Sequence, residues 1–186
     1  MATFIEKADL IKEVVQKEQG TDPIVIAKHL MHLPGISMHG PEHHMLDGSA
    51  FLRAYQNAGG AIDLPKALDE LEKRAYLMPG ATCGYWGVCG SAASVGAALA
   101  IIHGTGPLSD NDFYKDNMHL TSRALEKIGD IGGPRCCKRN AYISLTEAAK
   151  FVEERYHIKM TIAPFKCEFS PQNPTCLKTK CPYYPQ

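Results

Sequence analysis

Residues 91–102, SAASVGAALAII, carry small or apolar side chains on every side. A helix without a polar face cannot lie on a surface, and it must be enclosed by other elements. Even with its flanks, GVCGSAASVGAALAIIHG, the run is too short and too rich in Gly and Ser to predict a membrane span. The sequence therefore requires a fold in which the rest of the chain packs around this segment.

The neighbours are legible as helices with start and stop signals. Thr3 and Glu6 form a candidate capping box ahead of an apolar stripe that includes Ile11 and Val15, with Gly20 as a stop. Pro23 opens a second helix that ends at Leu33-Pro34-Gly35, and Pro41 opens a third that ends at Gly59-Gly60. Pro65 begins a fourth, closed by Pro79-Gly80. Ser109 with Asp112 predicts a cap for a helix striped by Leu120, Ala124 and Ile128, and Ser144 with Glu147 predicts another after the second cysteine loop. The alternation in IKMTIAP predicts a short strand. The fold class expected is mainly α: a single-domain bundle of about seven helices. Residues 1–164 form its helical core, and 165–186 form an irregular Cys- and Pro-rich tail packed on it.

Composition narrows the function. Lys plus Arg number 20 and so do Asp plus Glu, which gives no general case for nucleic acid, an anionic membrane or an acidic partner. The N-terminal segment MATFIEKADLIKEVV has charges where a signal peptide needs an apolar core, so the expected location is the cytoplasm. There thiols stay reduced, and cysteine clusters point to metal or redox chemistry rather than to staples.

The seven cysteines all fall in predicted loops. Cys83 and Cys89 have five residues between them; Cys136 and Cys137 are adjacent; Cys167, Cys176 and Cys181 are separated by eight and four. None of these is a zinc-finger spacing, so a site assembled from separate loops is expected. The candidate metal ligands are these seven thiols with His39 and His43. Cys89 stands at a predicted helix N-terminus, and Arg135, Lys138 and Arg139 flank the adjacent pair, which favours thiolates. Arg135, Gly133 and Gly90 are candidate cofactor contacts, because glycines let backbone approach a ligand closely. The adjacent pair is expected to remain unbonded, with its sulfurs on opposite faces of an extended backbone. The stretch SMHGPEHHM places His39, Glu42, His43 and His44 together. With a helix starting at Pro41, His39 and His43 face one point and His44 faces elsewhere. The spacing is not that of HExxH metalloproteases. No GxGxxG after a strand, GxxxxGK[ST] or GxSxG occurs.

The strings CGYWGVCGSAASVGAALAIIHGTGPLS and GGPRCCKRNAYISLTEAAKFVEE, with HGPEHH and the cysteine-rich end, resemble an uncharacterised prokaryotic family, domain of unknown function 5714. The likeness runs from about His39 to Cys181. It implies an anaerobic cytoplasmic setting, and a methyltransferase-like or radical-SAM-like partner enzyme, but no reaction. The function expected is a metalloprotein whose cysteine loops converge on an iron–sulfur cluster or a thiolate-bound metal, for redox, sulfur or one-carbon chemistry. The alternatives are a zinc-stabilised interaction module and a metal-free thiol redox protein.

Overall fold

The structure is a computed structural model and describes residues 2–185. Eight α-helices occur in order among them: α1 (Phe4–Val15), α2 (Pro23–Met31), α3 (His43–Asn57), α4 (Leu64–Leu77), α5 (Thr82–Tyr85), α6 (Gly90–Ile102), α7 (Asp112–Ile131) and α8 (Cys137–Tyr156). Two 3-10 turns, Ser170–Gln172 and Lys178–Lys180, punctuate the tail. None of these helices is long and apolar enough to cross a membrane.

Helix α6 is enclosed as its sequence requires: α3, α4, α7 and α8 all pack on it. Its small residues set the distances. A methyl group at Gly48 on α3 would come within 2.7 Å of the Ser94 hydroxyl and 2.8 Å of Leu71. With hydrogen there instead, Ser94 Oγ accepts from the Gly48 amide at 2.8 Å and donates to the His44 carbonyl at 2.5 Å. A buried serine thereby ties the start of α3 to α6 without stranding a polar group.

Helix starts follow local chemistry. The Thr3–Glu6 capping box is present, and Asp22 and Asp63 cap α2 and α4 through their carboxylates. Two predicted caps are not used. Asn111 occupies the N-cap of α7, while Ser109 Oγ accepts from the Gly106 amide inside the preceding turn. Ser144 and Glu147 lie in the interior of α8, which begins eight residues earlier than the cap at Ser144 predicts. The stripe of Leu120 and Ala124 is fully buried.

The predicted strand is absent from the described residues: 158–164 is extended but has no neighbouring strand to complete a ladder. It is held from the side instead, with the Ala163 amide donating to the Asp22 carboxylate at 2.9 Å.

The tail has more core than its sequence suggests. Phe165 stacks on Tyr183 at 5.1 Å, and both meet Tyr142 of α8 edge-on, at 5.0 and 5.4 Å. Phe169 is buried against His32, and the Cys167 amide donates to the Tyr183 carbonyl at 2.7 Å.

Candidate functional site

The N-terminus of α8 divides the cysteines into two groups. Cys136 is its N-cap, with extended backbone (φ −145°, ψ 105°), and its sulfur accepts from the Arg139 amide at 3.4 Å. Cys137 is the first helical residue. Because the chain changes from extended to helical between them, the two side chains leave in different directions.

On one side Cys136 joins Cys167, Cys176 and Cys181 around a narrow slot of about 20 Å³, room for about one water, walled by Met38, Tyr142, Phe169 and Tyr183. Donors point at the sulfurs: Asn173 Nδ2 to Cys136 at 3.5 Å and the Lys178 amide to Cys176 at 3.3 Å. Burial pushes the Cys167 and Cys181 thiols up; the Phe169 and Tyr183 amides oppose this, and Cys136 and Cys176 add to it. Cys167 and Cys181 thus each feel the neighbouring thiols. Among the described residues no group of three or more His, Cys, Asp or Glu is arranged to hold a metal ion.

On the other side Cys137 joins Cys83 and Cys89 in a second pocket of about 270 Å³ with His39, His43 and His44. Cys89 occupies the N-cap position of α6, and its sulfur accepts from Asn140 Nδ2 at 3.2 Å. Gly90 matters for a concrete reason: a Cβ there would stand 2.1 Å from the His44 ring. A third cavity, past Cys83 and Cys89, is lined by Gly133 and Arg135. The four loop cysteines therefore do not meet as one set; Cys136 belongs with the tail.

The histidine motif is built differently from expectation. α3 starts at His43, two residues after Pro41, so all three histidines line the pocket, His44 included. His44 Nδ1 donates to the Met78 carbonyl at 3.2 Å, which leaves Nε2 as an acceptor over Gly90. His39 Nδ1 accepts from the Cys137 amide at 3.4 Å, and its Nε2 meets Asn173 Oδ1 at 3.3 Å. Both its nitrogens are engaged, and Asn173 reaches Cys136 as well, so His39 bridges the two sites. Glu42 is a brace: its carboxylate accepts from the Ser37 amide at 2.8 Å and from Lys7 at 3.0 Å. Against the cost of burial, these bonds hold its carboxyl down at about 2.

Sequence reasoning missed the residues behind the pocket. Lys138 is buried and donates to the Ser37 carbonyl at 2.9 Å; His43 Nε2 stands 3.1 Å from both that carbonyl and the Lys138 ammonium, and the other ring nitrogen is Nδ1. That nitrogen has no hydrogen-bond partner, and Asp47 Oδ1 stands 4.0 Å away. Asp47 is wholly buried with both oxygens unpartnered. Burial pushes its carboxyl up to about 7, opposed by the Ser91 hydroxyl and the Lys138 charge. Burial, with the Lys138 charge, holds His43 down at about 3. The i, i+4 spacing of His43 and Asp47 was the available signal.

The expected ease of thiolate formation fails for two cysteines. Burial pushes Cys137 up to about 12, despite the Gly40 amide and the Arg135 charge, and Cys89 is raised by burial despite Asn140 and the Ser91 and Ala92 amides. Lys138 and Arg139 are committed elsewhere, Arg139 to the Gly132 and Pro134 carbonyls.

Fold and site together define an all-helical single-domain protein with thiols divided between two cavities at one helix start. The chain belongs to the family of unknown function DUF5714, which it matches over residues 11–184. The match takes in the last part of α1, all of α2 and the tail through Tyr184, beyond the span of the resemblance read from the motifs. No curated protein and no solved structure matches the chain.

Proposed function

We propose that this is a redox metalloprotein in which Cys136, Cys167, Cys176 and Cys181 hold an iron–sulfur cluster. The observation that carries the reading is the convergence of these four thiols, from α8 and three points of the tail, on one slot with amide donors directed at sulfur. The donor set suits the group: four cysteines, apolar walls and N–H groups to the sulfurs are what such clusters require. A cluster distributes its thiolates over several irons, so this reading does not require the single-ion grouping that is absent among the described residues. When bound, it supplies one-electron transfer at a potential set by its surroundings.

The chain's own residues hold and tune. Arg139 lowers the cost of negative charge at Cys181, and Asn173 donates to Cys136. Lys138, over the Phe169 ring at 5.1 Å, places a cation behind that wall of the slot. Because the slot is narrow, the turn carrying Cys176 and Cys181 would have to move outward for the four thiols to hold a cluster. That turn is anchored by 3-10 geometry instead of by a helix. The setting proposed is cytoplasmic and anaerobic, beside a methyltransferase-like or radical-SAM-like partner enzyme.

Anaerobic reconstitution with iron and sulfide tests the reading. The expected result is a brown protein with iron and acid-labile sulfide in equal amounts. A colourless protein that retains zinc stoichiometrically would transfer the same four thiols to the zinc-stabilised alternative.

A further inference from the structure

The second and third cavities share a wall. Cys83, Cys89, Arg135 and Asn140 line both, so the two spaces, of about 270 and about 470 Å³, meet at these residues. Their chemistry differs. The third offers Leu125 and Ile128, and a Cβ added at Gly84, Gly129 or Gly133 on its wall would meet nothing within 4 Å. The second holds the start of α6. Cys89, at the N-cap, makes no side-chain cap bond there, and helix geometry leaves the Gly90 amide without a partner in the helix. His44 stands against the same point: a Cβ on Gly90 would lie 2.1 Å from its Nε2. The His44 ring is buried on the cavity wall, only 8% of the residue being exposed. Its Nδ1 is taken by the Met78 carbonyl, and its Nε2 has no hydrogen-bond partner among the described residues. A buried acceptor and an uncapped helix start therefore face one space.

The charges on the walls select the ligand. Among the described residues no Asp or Glu lines either cavity. The arginine ion pairs there involve Arg74, Arg123 and Arg155, whereas Arg135 is exposed and in none. Arg139, the other guanidinium on these walls, is committed to the Gly132 and Pro134 carbonyls. One unpaired guanidinium and one helix start on the same wall suit a single carboxylate, which a guanidinium grips with two parallel bonds. An ammonium group would find no counter-charge there. A neutral O–H is the donor that suits His44 Nε2. Because that nitrogen and the start of α6 adjoin, the hydroxyl and the carboxylate belong on neighbouring carbons.

We propose that the joined cavities bind a 2-hydroxy carboxylate with an apolar side chain. Its carboxylate lies between Arg135 and the Gly90 amide, its hydroxyl donates to His44 Nε2, and its side chain enters the third cavity along Leu125 and Ile128. Cavities of this size admit a small molecule. Neither Cys136 nor a tail cysteine lines them, so the site does not depend on the cluster reading.

Isothermal titration calorimetry of the full chain with 3-phenyllactate tests the site. One molecule should bind per chain. Two analogues should bind at least tenfold more weakly: 3-phenylpropionate, which lacks the hydroxyl, and phenylalanine, which carries an ammonium in its place. Arg135→Gln, a change at an exposed side chain, should weaken 3-phenyllactate at least tenfold and leave the melting temperature without ligand unchanged. The ligand should also slow alkylation of Cys83, which lines both cavities, by N-ethylmaleimide, and leave Cys176 at its free rate. Absence of saturable heat at millimolar 3-phenyllactate overturns the proposal and needs no variant to fold. Equal binding of 3-phenylpropionate overturns the role of His44, and unchanged affinity in Arg135→Gln overturns the placement of the carboxylate. Tighter binding of phenyl phosphate than of 3-phenyllactate overturns the carboxylate class.

Discussion

Cys136 and Cys137, joined by one peptide bond, belong to different cavities. The division follows from where α8 begins. Cys136 is still extended and turns toward the tail, whereas Cys137 is already helical and turns toward α6. The Cys137 amide donates to His39 Nδ1, so the boundary between the cavities is itself hydrogen-bonded.

Glu42 should make stability depend on acid. Its folded carboxyl is held at about 2, below the ordinary value near 4.5, so the contribution is complete above about 4.5. It is lost as pH falls from there toward 2. Glu42→Gln should cost on the order of 2–3 kcal/mol at pH 7 and little at pH 2. Urea midpoints of parent and variant at both pH values check this; a gap of the same size at pH 2 contradicts it.

Gly90→Ala should lower stability by about 1–3 kcal/mol, because its methyl group enters the His44 ring. Gly84→Ala, with nothing within 4 Å of the added carbon, serves as the control and should be near neutral. Thermal melts of the two variants decide; equal melting temperatures would mean that His44 moves aside freely.

How much of this was legible depends on range. Helix α6 declared its central place, because a face with no polar residue permits no other. The Thr3 cap and the Leu120 stripe were likewise readable from neighbouring residues. The start of α8 was not: Ser144 and Glu147 imitate a capping box, and nothing local says that a cysteine sulfur caps the helix instead. The partition of the thiols depends on that start, and on the tail folding back through Phe165, Phe169 and Tyr183. Aromatics spaced without helical period gave no sign of a shared cluster. Asp47 was invisible for a related reason, since its burial is created by α6 and α8, far away in sequence.

The tail should depend on its aromatics as well as on its cysteines. Phe165→Ala is expected to cost about 2 kcal/mol and to accelerate cleavage within 165–185 by a limiting protease, with all seven cysteines in place. In the parent, cluster loading should change the cleavage pattern around Cys176 and Cys181. Unaltered digestion in both experiments would mean that the tail is secured elsewhere.

The most direct test of the cluster assignment compares Cys136→Ser with Cys137→Ser, each reconstituted anaerobically and assayed for iron, acid-labile sulfide and visible absorption. Cys136 shares the slot with the three tail cysteines and Cys137 does not. The account predicts that Cys136→Ser loses most of its iron and its colour, while Cys137→Ser keeps both at the parent level. Loss in Cys137→Ser with retention in Cys136→Ser would place the metal in the histidine pocket and contradict the assignment.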